Sequence, residues 1–314
     1  MMRPARKLLP ANATLIDGYG KDCQTRKITS YDHYVRAIER FMRWLEDRQV
    51  DPLKVGKKEL KDYLHYLAVE KKLIHKTLIR NFAGINSFYG YLEDVDLIDK
   101  NPVPNFRQRN LRAYKADSES QQRQVISVED AARLICSVLE TEDRAIILLL
   151  LKTGMRNHEL CDLDVVDLDL PAFTITVKHT PKRSNCELYF DRECAEALRR
   201  WLIVRSTRVG ASGPALFLSG QGNRVTPDQI QHLVIKHAMR IKLHDLSSDR
   251  LKDKFTPHCC RHFFTTCLIQ SGMPRDFVKE LRGDARREAI DIYNHIDKKE
   301  LKESYLAHIP QLGI

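Results

Sequence analysis

The sequence predicts a mainly α-helical protein of two domains, the second carrying one small antiparallel β-sheet. Three observations lead there. At 314 residues the chain is longer than a single hydrophobic core usually grows. Its 43% hydrophobic and 30% charged residues, with few glycines and prolines, match a helix-rich folded chain. Apolar residues recur at helical spacing along most of it and turn β-like only around residues 174–190.

The first domain opens on a helix from Thr29 to Asp47, where Tyr34, Ile38, Phe41, Trp44 and Leu45 form an apolar stripe. Arg36, Arg40 and Arg43 fall elsewhere on that wheel and give the helix a basic side. Further helical patterns cover Lys57 to Glu70, His75 to Leu92 and a short Asp94 to Asp99, and Asn101-Pro102 punctuates the end. These four helices make a domain over residues 12–104. Residues 105–125 lose apolar periodicity and hold Arg107, Arg109, Arg112, Lys115 and Arg123 among Gln, Ser and Asn, a linker composition. It reads either as a solvated connector or as a basic strap along a polyanion.

The second domain, 126–296, begins with Ser127 as N-cap and the stripe Ala131, Leu134, Ile135, Val138 and Leu139. A buried helix, Asp143 to Lys152, follows. The β-like runs Thr174 to Val177 and Glu187 to Phe190 flank the polar segment His179 to Asn185, which reads as a hairpin turn. Helices then cover Asp191 to Arg208, Pro227 to Lys242, Pro257 to Gln270, Pro274 to Arg282 and Arg287 to Asn294, and a tail over 297–314 carries one more near Lys298 to His308.

A net charge of +10 suits a polyanion, because each lysine or arginine on a phosphate releases a counterion. Lys and Arg outnumber Asp and Glu 24 to 16 up to residue 125 and only 28 to 26 after it, so the amino-terminal part, linker included, is the stronger electrostatic grip. The longest apolar run, Ala145 to Leu151, is too short to cross a bilayer, and no apolar signal core follows Met1 to Lys7. A cytoplasmic protein without membrane partners is expected. The eight cysteines form no Cys-x-x-Cys pair and read as reduced, mostly buried thiols.

Chemistry concentrates in three segments: Thr153-Gly154-Met155-Arg156-Asn157-His158-Glu159-Leu160, then His258-Cys259-Cys260-Arg261-His262, then Asp291-Ile292-Tyr293-Asn294-His295. In this order and spacing they resemble the tyrosine recombinase, or phage integrase, family, closely over residues 126–296 and in helical pattern over 12–104. The resemblance implies the tyrosine recombinase fold, with a helical core-binding domain and a mostly helical catalytic domain. It implies a site-specific recombinase that cuts and rejoins double-stranded DNA through a 3′-phosphotyrosyl link. It further implies no metal and no cofactor, since the phosphotyrosyl bond conserves the energy of the phosphodiester, and a homotetramer on paired DNA sites.

On the same basis Arg156 and Arg261 are the catalytic arginines, two guanidinium forks for the non-bridging oxygens of a phosphate under in-line attack. His258 is the histidine of His-x-x-Arg, bonded to the scissile phosphate or accepting the tyrosine proton. Glu159, one turn after Arg156, orients that guanidinium. Tyr293 is the nucleophile, and Tyr305 is a rival outside the Ile-Tyr-Asn-His pattern. The general acid is a lysine of the hairpin: Lys182 at its tip, with Lys178, directly after the strand, as the competitor. DNA-binding side chains are expected at Arg36, Arg40, Arg43, Arg107, Arg109 and Arg112.

One departure from the family pattern is Leu281-Arg282-Gly283-Asp284, where Asp284 stands in place of the usual histidine or tryptophan. An ionised carboxylate cannot donate to a phosphate, so Asp284 positions Arg282, Arg261 or a water, or accepts the tyrosine proton. Arg-Gly-Asp and the later Tyr-x-His-Ile-Asp resemble archaeal and archaeal-virus integrases. Three alternatives stand beside this reading: a metal site of His258 and His262 at i and i+4 with Cys259 or Cys260, a silent DNA-binding regulator, and a type IB topoisomerase or telomere resolvase. The tail residues Leu301, Tyr305 and Ile309 offer an apolar face to a neighbouring protomer, as in the family, or to their own domain.

Overall fold

The computed structural model describes residues 7–28, 31–111, 124–180, 183–248, 250–284 and 296–314. The chain divides into two units, Met1–Ala116 and Asp117–Ile314.

Among its described residues the first unit has five α-helices: α1 (Pro10–Thr25), α2 (Asp32–Glu46), α3 (Lys57–His65, continued by a π turn, Tyr66–Glu70), α4 (His75–Asp94) and α5 (Val103–Asn110). Its core is aromatic. Tyr19, Phe41, Trp44, Tyr63, Phe82, Phe88, Tyr89 and Phe106 are buried together, and Phe82 stacks on Phe106 with centroids 5.4 Å apart. Two helices here carry too little pattern to be read in advance. The two glycines of α1 dilute its apolar stripe, and Ile16, Tyr19 and Cys23 fix it by packing. Helix α5 lies partly inside the expected linker and is held by Val103 and Phe106, with Leu111 buried beyond its end. The expected helix at Asp94 to Asp99 is a turn, because α4 runs on to Asp94 and stops there.

Around α7 (Thr141–Thr153) the second unit is built; every residue from Ala145 to Leu151 is fully buried. Helices α6 (Val128–Cys136), α9 (Arg192–Arg205) and α11 (Pro257–Gln270) pack on it. Ser127 caps α6 by accepting from Asp130 N–H at 3.0 Å, and Ala131, Leu134, Ile135 and Val138 are buried as expected. Leu139 belongs to the loop beyond α6 and is exposed. The sheet gains a strand missed in the sequence: β1 (Leu168–Asp169) pairs with β2 (Thr174–Thr176), which pairs with β3 (Glu187–Tyr189), all antiparallel. The register sets Ile175 opposite Leu188, both buried in the core. Short α8 (Asn157–Cys161), then α10 (Pro227–Arg240), α12 (Arg275–Arg282) and α13 (Lys298–His308) complete it. The Arg287 to Asn294 segment lies outside the described residues.

The tail packs on its own unit. Leu301, Tyr305 and Ile309 are buried with Phe264, Leu268 and Tyr189, and Tyr305 Oη donates to the Lys152 carbonyl at 2.8 Å. Beneath it lies a buried ion cluster. Lys152 Nζ donates to Asp191 (2.5 Å), Glu193 (2.6 Å) and the Pro310 carbonyl (2.7 Å), and Glu193 also accepts from the backbone N–H groups of Leu312, Gly313 and Ile314.

Candidate active site

Helix α7 ends where Gly154 adopts φ +60°, ψ 17°, a left-handed C-terminal cap. A Cβ there would meet the Phe264 ring at 2.4 Å, so glycine is required on both backbone and steric grounds. The turn frees the Gly154 carbonyl for Arg261 and delivers Arg156 to the N-cap of α8.

Glu159, three residues on, reaches back in the manner of a capping box. Its Oε2 accepts the Arg156 N–H at 2.7 Å and its Oε1 accepts Arg156 Nη1 at 2.9 Å. A third donor, Arg183 Nη1, bonds Oε2 at 2.8 Å. Burial raises the Glu159 pKa, but the Arg183 charge, the Arg156 N–H and both guanidinium bonds outweigh it and hold the carboxyl below its usual range.

Arg261 comes from the second turn of α11 and is 5% exposed. Its Nη1 donates to Gly154 O at 2.8 Å, and its Nη2 to Arg282 O and Asp284 Oδ1, both at 2.9 Å. Burial, then the charges of Arg156 and Arg282, lower its pKa to about 10, so it stays charged at neutral pH. Arg156 Nη2 donates to the same Asp284 oxygen at 3.3 Å. Arg282 Nε sits 2.9 Å from Asp284 Oδ2, as an ion pair without hydrogen-bond alignment. The two arginines, 105 positions apart in the chain, thus converge on one negatively charged oxygen. That is an anion site, with Asp284 supplying the anion.

His258 and His262 stand on α11 one turn apart, edge to face at 4.8 Å between ring centroids, with His258 exposed and His262 half-buried. Cys259 and Cys260 are buried, and the Cys259 thiol donates to Lys254 O at 3.3 Å. Among the described residues the grouping with metal-ligand geometry is instead Glu140, Asp143 and His237. There Lys236 Nζ lies 3.2 Å from Glu140 and 3.3 Å from Asp143, which makes it an ion-pair node.

Lys178 pairs with Asp164 at 2.8 Å, and Asp164 also holds Arg224. Lys182, Tyr293 and Arg112 lie outside the described residues. The rival Tyr305 is fully buried, and that burial pushes its phenol well above the usual range, so it offers no surface to a DNA strand. In the first unit Arg36 is exposed, Arg40 donates to Asn81 at 2.8 Å and Arg43 pairs with Glu39. Arg107 and Arg109 belong to helix α5, not to a strap, with Arg107 half-buried and Arg109 exposed. Sequence reasoning missed Arg183, whose partners Glu159 and Leu281 lie too far along the chain to leave a local signal.

The fold is that of the tyrosine recombinases. The XerH site-specific recombinase bound to palindromic difH substrate superposes with TM-score 0.69 at 18% identity, covering 97% of this chain and 98% of that one. The Tn1549 transposon integrase in complex with transposon right-end DNA gives TM-score 0.67 at 19% identity, covering 93% and 98%. In sequence, residues 121–300 match the phage integrase family and residues 21–99 the phage integrase N-terminal SAM-like domain. The tyrosine recombinase XerC of Pelotomaculum thermopropionicum is 30% identical over 260 residues, 79% of this chain and 80% of that protein. XerC of Bacillus pumilus is 27% identical over 290 residues, 88% and 89%. The chain belongs to the phage integrase family, the tyrosine-type DNA strand transferases.

Proposed function

We propose that this enzyme recombines double-stranded DNA at a specific site. Tyr293 attacks a phosphodiester, forming a 3′-phosphotyrosyl link and releasing a 5′-hydroxyl, and rejoining reverses the step with a new 5′-hydroxyl. The observation that carries this is the meeting of Arg156 and Arg261 on one Asp284 oxygen. Guanidinium forks that bind a carboxylate oxygen suit the oxygens of a phosphate, where charge grows in the transition state. His258 then takes part in proton transfer at the tyrosine, and a hairpin lysine protonates the departing oxygen. Lys178 is held by Asp164, which favours Lys182 for that role.

Residues 12–104 are read as the core-binding domain, residues 105–125 as a linker that begins inside α5, residues 126–296 as the catalytic domain and residues 297–314 as the tail. Among the described residues Arg36, Arg40 and Arg109 are the exposed members of the expected DNA-contacting set. Assembly is expected as a homotetramer on paired sites, in the cytoplasm. Among the described residues no helix is long and apolar enough to cross a membrane. Arg282-Gly283-Asp284 and the later Tyr-x-His-Ile-Asp also favour kinship with integrases of archaea and their viruses, whereas the XerC relatives named above are bacterial. A phylogeny nesting the chain within bacterial XerC would remove that refinement.

The test is a nicked duplex carrying short inverted repeats sought in the DNA around the gene. The wild-type protein should leave a denaturation-resistant protein–DNA adduct, in the presence of chelator, and Tyr293→Phe should leave none. An adduct that persists in Tyr293→Phe contradicts the assignment of the nucleophile, and DNA binding with no adduct points to a silent regulator.

A further inference from the structure

We propose that Arg183 is a positioning residue of the strand-transfer site, which neutralises Glu159 from behind so that this carboxylate aims Arg156 without cancelling its charge. The inference rests on the reading of Arg156 as a phosphate-binding arginine.

The Arg183 side chain is fully buried and joins three separate stretches of chain. Its Nη1 donates to Glu159 Oε2 at 2.8 Å, at the start of the second unit's α8. Its Nε donates to the carbonyl of Asn185, two residues on, at 2.5 Å. Its Nη2 reaches Leu281 O at 3.4 Å, and its stem lies against Gly283, where an added Cβ would come within 2.8 Å of Cγ. Gly283 has φ +61°, so this close approach and the turn into Asp284 both need glycine. The neighbouring residue adds to the same seam: Ser184 Oγ donates to Asp284 O at 3.1 Å.

A buried guanidinium is a poor choice if the site needs only filling, because an apolar side chain of similar volume is often as stable. What the apolar residue cannot do is divide Glu159. With Arg183 and the Arg156 N–H on Oε2, the other oxygen is turned to Arg156 Nη1. Arg183 is also the largest of the influences that keep Glu159 ionised. The Glu159 charge is therefore balanced mainly from the buried side, and the positive charge of Arg156 remains for an anion on the open side, where it is 27% exposed. A single Arg156–Glu159 pair would be close to neutral and would attract a phosphate weakly.

The full chain carrying Arg183→Gln, Arg183→Lys or Arg156→Ala is compared with wild type in single-turnover adduct formation. Two nicked duplexes are used, one with an ordinary phosphodiester at the cut and one with an uncharged methylphosphonate there. The uncharged linkage lacks the negative charge that Arg156 acts on. On the phosphodiester, Arg183→Gln should slow cleavage about 10- to 100-fold, the usual loss when a partner that orients a site residue is removed. DNA affinity should be unchanged. On the methylphosphonate the deficit should shrink in the same proportion as that of Arg156→Ala, and Arg183→Lys, which keeps the cation, should fall between wild type and Arg183→Gln. Equal slowing of Arg183→Gln on both duplexes, while Arg156→Ala discriminates between them, overturns the inference and leaves Arg183 a structural residue. Should Arg183→Gln fail to fold, Arg183→Lys must show the same substrate dependence or the inference falls. If wild type itself forms no adduct, it is the underlying reading of the site that fails.

Discussion

Replacing Lys152 with methionine removes a cation that is fully buried and leaves its partners, Asp191 at 5% and Glu193 at 12% side-chain exposure, without their counter-ion. Breaking a buried ion pair from one side costs about 3–5 kcal/mol, because the remaining charge is neither solvated nor paired. Two features place this case at the lower end. Glu193 keeps the backbone N–H groups of Leu312, Gly313 and Ile314, and Asp191 keeps Gln311 Nε2 at 3.1 Å and the Cys194 N–H at 3.1 Å. In a domain of this size each kcal/mol moves Tm by about 2–4 °C, so Lys152→Met should lower the melting point of the second unit by about 6–12 °C. Calorimetry on the full chain reads it directly. Adding Asp191→Asn and Glu193→Gln to Lys152→Met should recover part of the loss, since the stranded charges are then gone. A shift under about 2 °C would refute the reasoning, as it would mean that the cluster is hydrated or rearranges freely.

Gly154→Ala puts a Cβ within 2.4 Å of Phe264 Cδ1 at φ +60°, so urea unfolding should show a loss of about 1–2 kcal/mol from backbone strain alone. Cleavage should slow as the Gly154 carbonyl shifts under Arg261; an unchanged midpoint and rate would contradict the role given to that turn. Glu159 titrates below its usual value in the folded chain, so its stabilising contribution is complete above the ordinary carboxyl range and is lost as pH falls through the lowered folded pKa. Melting curves of Glu159→Gln and wild type should therefore differ at neutral pH and converge in acid, and a gap that stays constant across pH would exclude the ion pairs as its source.

Most of the second unit could be read from local chemistry. Ser127, Asp191 and Thr226 each accept a backbone N–H at the start of the helix that follows, and Ala145 to Leu151 is apolar on every side because α7 is enclosed on every side. Helix α1 was not legible, since its two glycines weaken the stripe and Tyr19 and Cys23 secure it only through packing. Helix α5 was hidden by its polar surface residues, with Val103 and Phe106 as its anchors. In the site, Arg156, Glu159 and Arg261 were legible through motif and spacing, and Asp284 was expected beside Arg261 or Arg282, whereas its sharing of one oxygen with Arg156 needs three segments brought together in space. Arg183 was invisible for the same reason: a hairpin arginine normally faces solvent, and only the fold turns this one inward onto Glu159. The tail face left open two partners in the sequence, and its burial against Phe264 and Leu268 favours its own domain in the single chain.

The central claim is that the covalent bond to DNA is made by Tyr293, and trypsin digestion of the trapped wild-type adduct followed by mass spectrometry tests it most directly. Cleavage after Arg287 and Lys298 isolates Tyr293 as the sole tyrosine of the peptide 288–298, and cleavage after Lys302 places Tyr305 in a separate one. The nucleotide mass should fall on peptide 288–298 at Tyr293. Its appearance on the peptide holding Tyr305, or on any other residue, would contradict the account.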